Sequence, residues 1–243
     1  MKLFLFSWLI FLLLPFLSAL GQFQLAVFVH RSPSWHLASS PTAQRQPAQF
    51  GDFIYCEKNP QSWWPAQSVV DYQSGSVPAD QVALISELPL AAQKVLFDSV
   101  FRAYQQLADT FRVQIEAPKQ TTQTAMRLVV EKFNDEKFDP LLSEFADYFR
   151  KSQDMATLQQ LFATLWADRG AQSEMPSVAL AQCFANHPER VVTALRRLDT
   201  AAREAMIEII AHGIDNQIYL DDNEKLDTDQ NLRLKSKLEA IRN

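Results

Sequence analysis

In MATLQQLFATLWA, Met155 to Ala167, each of the apolar residues Met155, Leu158, Leu161, Phe162, Leu165 and Trp166 has another of the set three or four positions away. One stripe of an α-helix therefore carries all six. Such a stripe must be buried, so the segment predicts a helix packed into a core, with Leu161, Phe162, Leu165 and Trp166 inside. The same spacing recurs upstream, in Leu141, Leu142, Phe145, Tyr148 and Phe149, and downstream, in Ala202, Ala205, Met206, Ile209 and Ile210. It recurs again in the long segment 90–116, which places Phe97, Val100, Phe101, Tyr104, Leu107 and Phe111 on one face. Period-two alternation is almost absent, and the expected fold class is all-α.

The punctuation of the chain supports that reading. Asp154 stands directly before the Met155 stripe as an N-cap, Pro118 must end the long helix, and Pro188 with Glu189 places a proline and an acid in a first turn. Gly170 and Gly213 fall where left-handed C-terminal caps are expected. The helices so delimited are joined by short connections, which predicts antiparallel neighbours.

Three segments, Ala83 to Ala103, Met155 to Ala167 and Thr193 to Gly213, share one binary pattern. Each follows a shorter amphipathic stretch. The arrangement resembles the helix pairs of HEAT-like α-solenoids, whose units bury their faces on their neighbours. The resemblance covers roughly residues 80 to 214, and antiparallel helix pairs forming a short HEAT-like solenoid, or an irregular helical bundle, are the two architectures expected for the helical domain, 79–243.

Four segments make up the expected organisation. Lys2 followed by the apolar run Leu3 to Leu20, with Ala19 and Gly21 at the positions that signal peptidase reads, predicts a signal peptide over 1–21 and a periplasmic or secreted protein. An uncleaved leader is the one route to a membrane. Residues 22–49, rich in Ser, Pro, Ala and Gln, read as a flexible arm. Residues 50–78 crowd Phe53, Ile54, Tyr55, Trp63, Trp64, Val69 and Val70 between prolines without a clean period. They read as an irregular aromatic segment packed on the helical body.

Composition narrows the function. With 243 residues, 47% of them apolar and a net charge of −5, the chain is of globular type and offers no overall attraction to nucleic acid. Its five glycines stand in no phosphate-binding frame. In an oxidising compartment the two cysteines, Cys56 and Cys183, are expected to form a disulfide. It would close a loop of roughly 130 residues and contribute roughly 4–5 kcal/mol on the chain-entropy model.

Site candidates are few. His30, His36, His187 and His212 occupy no metal-binding spacing; His187 is expected to cap a helix start, and no cofactor is implied. Asp227, Asp229 and Asn231 match positions 1, 3 and 5 of a calcium loop. Leu232 and Leu238 replace its glycine and its bidentate glutamate, which leaves a solvated acidic helix start as the better reading. Trp63 and Trp64 are the candidate contacts for a ligand or partner, set against the alternative that they close a core edge. The functional expectation is an exported scaffold or binding protein that recognises a protein or an envelope component. The alternative is an envelope-acting enzyme with dispersed carboxylates such as Glu131, Asp135 and Glu144.

Overall fold

The computed structural model describes residues 23–37, 45–115, 120–168, 174–215 and 228–242. The chain divides into two compact units, Met1–Glu87 and Leu88–Asn243. The first is a sheet, so the fold is α+β and the all-α expectation is corrected.

Seven strands build that sheet: β1 (Gln24–Phe28), β2 (Ser34–Leu37), β3 (Arg45–Pro47), β4 (Phe53–Cys56), β5 (Trp63–Ser68), β6 (Ser74–Pro78) and β7 (Val82–Leu84). Their order is β3-β2-β6-β5-β4-β1-β7, and every pairing is antiparallel. One face carries the core of the unit, formed by Ala26, Phe28, Ile54, Cys56, Trp64, Ala66, Val77, Val82 and Leu84. Strands β4, β5 and β6 form a meander whose turns close on side chains. Asn59 accepts from the Gln61 amide at 2.9 Å, and Ser68 Oγ accepts from the Val70 amide at 3.2 Å. Gly75 is required where it stands, because a Cβ there would lie 2.2 Å from the His36 carbonyl and 2.8 Å from the Trp35 ring.

The strands escape the period-two test for a physical reason. Both faces of β1 are buried, so Leu25, Ala26, Val27 and Phe28 read as one apolar run, and β4 reads as Phe-Ile-Tyr-Cys. β6, Ser-Gly-Ser-Val-Pro, contributes one apolar core residue, Val77. Parts of the sheet thus lie in the stretches 22–49 and 50–78, whose composition suggested an arm and an irregular segment.

The second unit is helical: α1 (Leu90–Ile115), α2 (Gln120–Phe133), α3 (Asp139–Ser152), α4 (Met155–Ala167), α5 (Met175–Asn186), α6 (Pro188–Leu195), α7 (Thr200–Asp215) and α8 (Thr228–Arg242). A π-helical turn, Asn134–Phe138, joins α2 to α3 without a break, since Phe133 and Asp139 on either side keep right-handed helical dihedrals. It carries Phe138 into the core, where its ring stacks on Tyr104 at 4.2 Å. Helix α1 packs on α4, and α5 lies between α3 and α7.

Most of the predicted stripe is buried. Leu158, Leu161, Phe162 and Leu165 are inside, while Trp166 is half-buried. The segment Ala83 to Ala103 begins in β7 and a 3₁₀ turn, whereas Thr193 to Gly213 begins in the end of α6. Their shared pattern is therefore amphipathy and not one repeated structural unit. Gly213 lies inside α7 and does not cap it. A Cβ there would meet the Ser177 carbonyl at 2.3 Å and Ala181 Cβ at 2.7 Å, so glycine lets α7 approach α5 closely. Gly170 lies outside the described residues.

The disulfide is also corrected: Cys56 and Cys183 are both free. Each is fully buried in its own unit, Cys56 on the core face of the sheet and Cys183 in α5. A thiol in an apolar interior acts as a small hydrophobe, and burial pushes the Cys56 thiol up to about 12 and the Cys183 thiol upward as well. Both thiols should resist alkylation in the native protein and react after denaturation without reductant. A denatured, unreduced protein that takes up no alkylating reagent would contradict the free thiols.

Candidate functional site

Consecutive strand residues point to opposite faces, and this separates the two candidate tryptophans. Trp64 is 9% exposed on the core face, and its Nε1 donates to the Asn59 carbonyl at 2.9 Å. It closes the core. Trp63 belongs to the opposite face and is 43% exposed. The Trp63 ring meets His36 edge to face, with centroids 5.0 Å apart.

The register places more residues on the Trp63 face. Trp63 pairs with Pro78, Pro65 with Ser76 and Gln67 with Ser74 across β5 and β6; Tyr55 of β4 pairs with Gln67, and His36 of β2 with Ser76. In the β5–β6 turn Tyr72 takes a positive φ of 53°, and its ring stacks on Tyr55 at 6.4 Å. Two aromatic pairs, Trp63 with His36 and Tyr55 with Tyr72, thus lie toward the two ends of β5. Trp63 and Gln67 are about 13 Å apart along the strand, with Pro65 between them. The Nδ1 atom of His36 is shielded from water without a hydrogen-bond partner among the described residues. A polar atom so placed costs free energy and is uncommon in finished interiors. Sequence reasoning named Tyr55 and His36 without placing them beside Trp63, and it missed Tyr72; the signal within reach was the alternation of Trp64 and Ala66 with Trp63, Pro65 and Gln67.

The helical unit holds two polar clusters. In the first, Lys94 Nζ lies 2.8 Å from Asp154, 3.1 Å from Asp98 and 2.9 Å from Thr157 Oγ1. Tyr148 and Thr157 donate to Asp154 Oδ2 at 2.9 and 2.8 Å. Asp154 also caps α4 as expected, accepting from the Ala156 and Thr157 amides. A lysine beside a hydroxyl can serve as a general base only when neutral. Here the Asp154 and Asp98 hydrogen bonds raise Lys94 above its ordinary pKa despite partial burial, which keeps it an ammonium ion. As an ammonium ion Lys94 is an ion-pair partner of Asp154 and Asp98 and does not accept a proton.

In the second cluster, Tyr104 donates to Asp168 at 2.8 Å and Asn134 to Asp139 at 2.9 Å. Burial, with the nearby Asp139 charge, raises the Asp168 carboxyl above its usual range against the Tyr104 hydrogen bond.

The other sequence candidates do not converge. Glu131 is exposed and paired with Arg127 at 2.7 Å, and Asp135 is exposed at the π-helical turn. Glu144 is raised by burial and by Asp147, with Lys151 opposing. His187 occupies the N-cap position of α6 but makes no side-chain cap; its Nε2 lies 3.1 Å from the Arg150 carbonyl, which corrects the expected capping role. Asp227 falls outside the described residues, and Asp229 and Asn231 stand in α8. Among the described residues no three or more His, Cys, Asp or Glu side chains come together as metal ligands. No protein-family model and no curated protein matches the chain.

Proposed function

We propose that this chain is an exported binding protein that holds a protein or envelope component on the Trp63 face of its sheet. The observation that carries the reading is the 43% exposure of Trp63 on a sheet whose next residue, Trp64, is committed to the core. A large aromatic side chain held by a rigid strand contributes contact area with little loss of conformational freedom, and tryptophan is enriched among the residues that carry most of the binding energy at protein interfaces. The Tyr55–Tyr72 pair extends the same platform. The chemistry needed for a nucleophile or general base is not supported by Lys94 and Thr157, whose protons are already committed.

Export rests on the leader. Mature protein beginning at Gln22 by intact mass is the expected product, and a mass retaining Leu3 to Leu20 in the membrane fraction would replace release with tethering.

Binding is tested by quantitative capture from the cell's own envelope fraction, using mature wild-type protein and the Trp63→Ala variant as baits. Removal of a central tryptophan contact typically costs about 2 kcal/mol or more, so capture should weaken roughly thirtyfold. The Trp63 side chain is half in solvent, so the variant's unfolding midpoint should stay near that of wild type. Equal capture by the two baits would refute the assignment of the Trp63 face.

A further inference from the structure

We draw no further inference here: the strongest candidate, the cluster of Tyr104, Asp168, Asn134 and Asp139 beside the π-helical turn of the helical unit, is a group of acidic side chains and their hydrogen-bond partners with no second observation that points to a ligand.

Discussion

Phe97→Ala should lower the stability of the helical unit by roughly 3–5 kcal/mol, the range measured for deleting a buried aromatic ring. Phe97 is fully buried in α1, and its ring lies 5.8 Å from Phe101, 5.3 Å from Phe145 and 4.9 Å from Tyr148. Alanine removes the transfer energy of the ring and these edge and tilted contacts together. The rings around it belong to α1 and α3, whose backbones are fixed by further partners, so the cavity cannot close fully. For a unit of this size the loss corresponds to a drop of roughly 10 °C or more in the unfolding midpoint. Gln106→Ala on the exposed side of the same helix should change the midpoint by no more than a degree or two. Thermal unfolding of both variants by circular dichroism decides the matter. Equal midpoints would mean that the stripe of α1 faces solvent.

The second large effect is expected at Asp154. Asp154→Ala removes the cap of α4 and leaves Lys94, Thr157 and Tyr148 without their shared acceptor, a combined cost of about 3 kcal/mol. Asp154→Asn keeps an oxygen for the Ala156 and Thr157 amides but removes the charge that Lys94 faces, and should cost about half as much.

The two contributions separate with pH. Burial raises the Asp154 carboxyl, but the hydrogen bonds from Lys94, Thr157 and Tyr148 outweigh it and hold the group well below the usual carboxylate range. A group depressed in the folded state stabilises it above the unfolded pKa, near 3.9 for aspartate, and loses that contribution as pH falls through the folded value. The wild-type advantage over Asp154→Asn should therefore be full at pH 7, begin to shrink below about pH 5, and have largely gone once pH falls below the folded value. Urea unfolding at several pH values measures it. A gap of constant size would show that the charge of Asp154 contributes nothing.

Part of this was legible in the chain. Three-and-four spacing located the buried stripe of α4, and Asp154 before Met155 located its start, because both signals are local: each depends on neighbours within one or two turns. The same locality misled at Gly213. A glycine near a helix end suggests a cap, but here it answers a contact with Ser177, 36 positions away, which only the packing of α7 on α5 creates.

What the sequence by itself determined is the amphipathic helices, the Asp154 cap of α4 and the apolar character of the aromatic stretch near Trp63. Tertiary structure decided that this stretch and the residues before it form a sheet. Strand pairing joins Gln24 to Cys56 and His36 to Ser76, contacts that no local period announces, and burial on both faces of β1 removed the alternation by which a strand is recognised. The same pairing turned Trp63 outward and Trp64 inward and placed Tyr55 and His36 on the Trp63 face. It also set Cys56 on the core face of the sheet, while Cys183 is buried in α5, and both thiols are free. A side chain's face and its distant partners follow from register, and register is set by the whole sheet.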